Sequence, residues 1–136
     1  MPINPYLTFD GRCEAAFKFY EQALGGKITV LMRFEGSPGE GMVPAEWGSK
    51  VMHASLVVGD NVLMASDAPP DQYKQMQGFS VSFRVDDPAE AERVFNALAE
   101  GGTVTMPIAE TFWAERFGMV TDKFGTPWMV DCDKKR

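Results

Sequence analysis

Shifting the chain against itself by 76 positions brings eight identities into the 20 aligned positions from 10 to 29. Asp10 falls on Asp86, Glu14 on Glu90, Ala15 on Ala91, Phe19 on Phe95 and Ala23 on Ala99. Gly25, Gly26 and Thr29 fall on Gly101, Gly102 and Thr105. Ordinary composition gives about one or two such matches by chance. Self-similarity over such a period means one supersecondary unit used twice. The two copies are expected over about 3–68 and 78–133, within a single domain of 136 residues. A chain this long buries enough apolar surface for an ordinary core.

Local patterns give the content of each copy. Ile3 to Phe9 alternates behind two prolines and reads as an edge strand. From Cys13 to Leu24 the apolar residues Ala16, Phe17, Phe19, Tyr20, Ala23 and Leu24 recur at helical spacing, and Gly25-Gly26 ends the run. Lys27 to Phe34 is a strand. Glu35 to Lys50 is rich in glycine and proline and reads as a long loop, with Met42 and Trp47 as its apolar contacts. Val51 to Val58 and Val62 to Ser66 flank the turn at Gly59-Asp60-Asn61. The second copy begins with a strand at Phe79 to Val85. A helix follows over Asp87 to Glu100, with Asp87 as its cap and Pro88 at its first position. Strands at Thr103 to Ile108, Phe117 to Thr121 and Trp128 to Cys132 complete it. The fold class is α+β: two βαβββ modules forming an incomplete mixed β-barrel with a cleft suited to a small molecule.

Charge and cysteine content exclude several functions. Thirteen Lys and Arg against nineteen Asp and Glu leave a net charge of −6. Nucleic acid and anionic membrane need the opposite balance, so neither is an expected partner. No apolar run is long enough to span a membrane, and the N-terminus has no signal-peptide pattern, so a cytoplasmic protein is expected. Cys13 and Cys132 form no CxxC pair, and a disulfide is not expected. There is no HExxH, no G-x-S-x-G and no phosphate-cradling loop, since no Lys-Ser or Lys-Thr follows Gly36, Gly39 and Gly41.

The chain resembles the vicinal oxygen chelate superfamily, which includes glyoxalases, extradiol dioxygenases and fosfomycin- and bleomycin-resistance proteins. Within it the chain is most similar to the PhnB-like branch, also labelled 3-demethylubiquinone-9 3-methyltransferase-like. The residues that carry the resemblance are Met1 to Phe9, His53-Ala54-Ser55, Ser66-Asp67, Glu110 to Ala114, Phe117-Gly118 and Val120 to Trp128. The methyltransferase label has no support in the chain, because no G-x-G-x-x-G opens a helix after a strand. The resemblance implies a glyoxalase-like fold and a homodimer.

The resemblance also implies four metal-ligand positions, which fall near Pro5, Met64, Ser80 and Met129. Proline offers no side-chain donor, and a methionine thioether is a poor ligand for a hard divalent ion. No metal and no cofactor are therefore expected, and a divalent ion held by His53, Asp67 or Asp122 is the minor alternative. The candidate binding residues are His53, Ser66, Asp67, Trp113, Asp122 and Trp128, with His53 the candidate catalytic base. Aromatics and methionines crowd the last third of the chain, as Phe112, Trp113, Phe117, Phe124 and Trp128 with Met106, Met119 and Met129 interleaved. Three functions fit these residues: a metal-free binding protein for a small apolar or aromatic molecule, an enzyme of lyase, isomerase or transferase type with a noncanonical site of His53 as base and Asp67 or Asp122 nearby, and a phosphonate-related accessory role. The last would need Arg33, Arg84 or Arg116.

Overall fold

A computed structural model of the chain describes residues 1–135 and divides them into two compact units, Met1–Lys74 and the remainder from Gln75. Each repeats one element order. The N-terminal unit holds β1 (Tyr6–Phe9), α1 (Cys13–Leu24), β2 (Lys27–Arg33), β3 (Val51–Val58) and β4 (Asn61–Asp67). The C-terminal unit holds β5 (Val81–Arg84), α2 (Pro88–Ala99), β6 (Thr103–Ala109), β7 (Ala114–Thr121) and β8 (Pro127–Asp133). The sheets run β1-β4-β3-β2 and β5-β8-β7-β6. The first pair in each is parallel and the others antiparallel. Neither sheet closes on itself; each is an open four-stranded layer with a helix on one face. This is the α+β fold of the glyoxalase type.

The helix boundaries follow from their caps. α1 ends at Gly25, whose φ of +77° needs no side chain. Asp87 accepts the Glu90 N–H and caps α2, with Pro88 behind it. The repeat does not keep one offset throughout. β2 and β6 start 76 residues apart, whereas the helices start 75 apart. At the 76-residue shift the matched Ala15 and Ala91 are exposed and buried respectively, so identity of letters does not always mean identity of facing. The other departure is between the second and third strands of each unit. The N-terminal unit spends residues 34–50 there and the C-terminal unit only residues 110–113. The longer segment is ordered by two 3₁₀ turns (Glu40–Met42 and Ala45–Trp47) and by Phe34 and Glu35 N–H bonds to the Lys50 and Gly48 carbonyls. Trp47 is half-buried as expected, but Met42 is exposed and packs no core.

Alternation along the strands gives every sheet two faces. Leu7, Phe9, Ala54, Leu56 and Ala65 are buried on the side of α1, with Ala16, Phe17 and Tyr20 of the helix. Gly118, Val120, Trp128 and Val130 do the same beneath α2, with Ala91, Val94, Phe95 and Leu98. Gly118 is required there, because the space a β-carbon would take is filled by the Phe95 ring and by Ile108. Gly118→Ala is therefore expected to destabilise the protein by about 1–3 kcal/mol through overpacking. Phe95→Leu in that background recovers part of the loss in a denaturant titration. An unchanged unfolding midpoint for Gly118→Ala would contradict this packing.

Candidate functional site

The face of the N-terminal sheet turned away from α1 carries Tyr6 and Thr8 of β1, Met64 and Ser66 of β4, His53 and Ser55 of β3, and Met32 of β2. Strand register lines them up. Tyr6 lies opposite Met64 and Met64 opposite Ser55, while Thr8 lies opposite Ser66 and Met32 opposite His53. All are half-buried or exposed. The Tyr6 hydroxyl is 3.1 Å from His53 Nδ1, and the two rings stack with centroids 5.7 Å apart and planes at 24°. His53 Nε2 is 3.4 Å from Ser55 Oγ. With the phenol donating to Nδ1, the ring proton sits on Nε2 and faces the serine oxygen. The imidazole is thus held at both nitrogens while Tyr6 keeps 48% of its surface exposed.

Tyr6 and Ser55 are members of this constellation that the sequence reading did not single out. Tyr6 is 47 residues from His53 and reaches it across β4, a relation that only the strand order β1-β4-β3 creates. Ser55 had a signal: it stands two residues after His53 on a strand, hence on the same face.

Asp67 is buried and directed into its own backbone. Its Oδ1 accepts the Gly11 N–H at 3.0 Å and the Cys13 N–H at 2.9 Å, and its Oδ2 accepts the Val51 N–H at 2.9 Å. It closes the start of α1, which has no side-chain cap of its own, and ties it to β3. Burial pushes its carboxyl above the usual range, against the pull of those three N–H groups and Lys50. Asp122 is also buried, in the turn between β7 and β8. Its Oδ1 accepts the Phe124 and Thr126 N–H groups at 2.8 and 3.1 Å, and its Oδ2 accepts the Trp128 indole N–H at 2.8 Å. Trp128 is 1% exposed, its ring in the core under α2. These three sequence candidates thus have their polar atoms bonded within the fold itself. Ser66 stands with His53, and Trp113 stands in the other unit, 50% exposed between Phe112 and Phe117 at centroid distances of 4.8 and 5.4 Å.

The implied metal positions can be placed by register. Met64 lies opposite Tyr6 and donates its N–H to the Pro5 carbonyl, while Met129 lies opposite Ser82. Ser82 replaces Ser80 in that role, because Ser80 precedes β5. The two methionines occupy the same place in the two units. The methionine thioethers are the wrong donors for a hard divalent ion, and the neutral phenol and serine hydroxyl bring no charge to balance it. Among the described residues no three His, Cys, Asp or Glu side chains come together as metal ligands. Each arginine of the phosphonate reading is engaged. Arg33 pairs with Glu14, Arg84 with Asp131 and Asp133, and Arg116 with Glu92 and Glu115. Cys13 and Cys132 are free thiols, and burial raises both above their ordinary range.

The family model of the Glyoxalase/Bleomycin resistance protein/Dioxygenase superfamily matches residues 3–130, and the chain belongs to that superfamily. Protein YjdN of Escherichia coli is 34% identical, the match covering 100% of this chain and 98% of that one. The crystal structure of protein PA1353 from Pseudomonas aeruginosa is 52% identical, covers 99% of each chain and superposes with a TM-score of 0.90. A PhnB protein from Bacillus cereus, which also carries the methyltransferase label, is 24% identical over 97% of this chain and 99% of that one. It shares the fold at a TM-score of 0.80.

Two substitutions test the buried carboxylates. Asp67→Asn sets an amide N–H₂ against either the Val51 donor or the Gly11 and Cys13 donors. It is expected to cost about 2 kcal/mol, read as a Tm lower by about 5–10 °C. Asp122→Ala leaves the buried indole N–H unmatched and costs about 2 kcal/mol in the natural background. In a Trp128→Phe background it costs measurably less, and equal costs in the two backgrounds would show that the bond contributes nothing.

Proposed function

We propose that the exposed sheet face around His53 binds a small, largely apolar or aromatic molecule without a metal. The observation that carries this reading is the stacked Tyr6–His53 pair, bonded on to Ser55. Stacked rings beside Met32 and Met64 offer flat, polarizable contact, and the hydroxyls of Tyr6, Ser55 and Ser66 offer directional hydrogen bonds. The net charge of −6 favours a neutral or cationic molecule over an anion. Exposed edge strands β2 and β6 favour a homodimer, and the acidic surface suits a cytoplasmic setting without nucleic acid. No described helix is long and apolar enough to cross a membrane.

Calorimetric titration of neutral and cationic aromatic compounds tests the binding reading. An aromatic ligand of the natural protein should lose at least tenfold in affinity with His53→Ala and severalfold with Tyr6→Phe, while Tm moves by less than about 2 °C. Unchanged affinity in both variants would refute the assignment. A second reading, an enzyme using His53 as base through the Tyr6 phenol it accepts from, is favoured by the bond between the two. It requires turnover that His53→Ala abolishes. Ligand binding without turnover decides for the first reading. The phosphonate role draws no support from the arginines, all three of which are paired.

A further inference from the structure

The equivalent face of the C-terminal sheet carries a different set of atoms. Met129 of β8 lies opposite Met119 of β7, and Met119 lies opposite Met106 of β6. Three methionines therefore stand in one row across three adjacent strands. Gly118 and Val120, and likewise Trp128 and Val130, are buried on the side of α2, so alternation turns Met119 and Met129 to the other face. There they are half-buried, and Met106 is 41% exposed. Met119 and Met129 form a regular opposed pair, with β-carbons about 4.5–5.5 Å apart, while Met106 sits between two register shifts of β6. A methionine is long and unbranched with three rotatable bonds, so the two outer thioethers can lean over the central one.

We propose that Met106, Met119 and Met129 form a three-thioether site for a soft monovalent cation of the Cu(I) class. Thioether sulfur selects soft ions, and it is the wrong donor for the hard divalent ions held by oxygen. In the N-terminal unit the corresponding row is Tyr6–Met64–Ser55–Val30, with one sulfur only, so the three-sulfur set belongs to the C-terminal unit alone. A second feature of the same face favours a cation. Asp131, one pleat along β8 from Met129, is 8% exposed, and its Oδ1 is buried with no hydrogen-bond partner among the described residues. Its other oxygen accepts from Arg84 at 3.1 Å. Arg84 pairs with the carboxylate through Oδ2 alone, so Oδ1 is left as an open acceptor beside the row. The competing soft donors, Cys13 and Cys132, are buried thiols that burial and neighbouring carboxylates disfavour as thiolates.

Ag(I), a redox-inert stand-in, is titrated into the full chain labelled with ¹³C at the methionine methyls. One equivalent should move the methyl resonances of Met106, Met119 and Met129 together and leave that of Met42, on the exposed loop, in place. Met119→Leu should lower Ag(I) affinity at least tenfold, and Met42→Leu should not change it. Met106→Leu and Met129→Leu carry the same expectation and stand in if Met119→Leu fails to fold. Cu(I) competition against a chromophoric chelator under reducing conditions should rank the variants in the same order. Uptake that leaves the three methyls unmoved and disappears in Cys13→Ser/Cys132→Ser would overturn the proposal, as would a uniform shift of all the methionines.

Discussion

The Asp67 carboxylate holds the N-terminal unit in register. Three backbone N–H groups from three places in the chain converge on it: the turn at Gly11, the first turn of α1 at Cys13 and the start of β3 at Val51. Asp67 is itself the last residue of β4, opposite Phe9 at the end of β1. One side chain therefore joins both partners of the parallel pair to the helix between them and to the next strand. The positions of Tyr6 and His53, on β1 and β3 either side of β4, inherit that alignment. The C-terminal unit solves its own problem differently. Asp122 folds back the turn between β7 and β8 and anchors Trp128, while α2 carries a local cap in Asp87.

Buried carboxylates saturated by backbone donors are structural devices, and their sequence signature is hard to tell from that of ligands. An Asp at the end of a strand looks the same in sequence whether it faces a cleft or a helix start. Asp67 and Asp122 belong to that ambiguity; their roles rest on which N–H groups lie within reach in three dimensions. Trp128 was ambiguous for a related reason. An indole needs a partner for its N–H, and a partner within the core removes the need for solvent or ligand. By contrast, the order of elements and both helix boundaries were legible, because they rest on local chemistry: apolar spacing, Gly25, Asp87 and Pro88. The long segment over residues 34–50 was legible as irregular. Its internal turns and the exposure of Met42 were not, since those depend on contacts made elsewhere.

The two sheet faces away from the helices share a plan and differ in chemistry. One carries an imidazole held by a phenol and a serine, and the other a row of thioethers next to a carboxylate. Met64 and Met129 are the positions the two rows have in common. Around them Tyr6 is exchanged for Ser82, Ser55 for Met119 and Val30 for Met106. Superfamily membership supplies the scaffold; these exchanges decide what each face can recognise.

The pairing of small and large residues beneath the helices reaches further than packing. Under α2 the sheet presents Gly118 opposite Val130, with the Phe95 ring lying over the glycine. Under α1 the corresponding strand positions are Ala54 and Ala65, and the helix brings the two rings of Phe17 and Tyr20. Each helix is thus shaped to its own sheet. Copies that arose from one unit have diverged into parts that no longer interchange: a chimera with α1 transplanted onto the second sheet would meet Val130 where it needs alanine. The repeat survives as topology, whereas its two cores have become separate lineages.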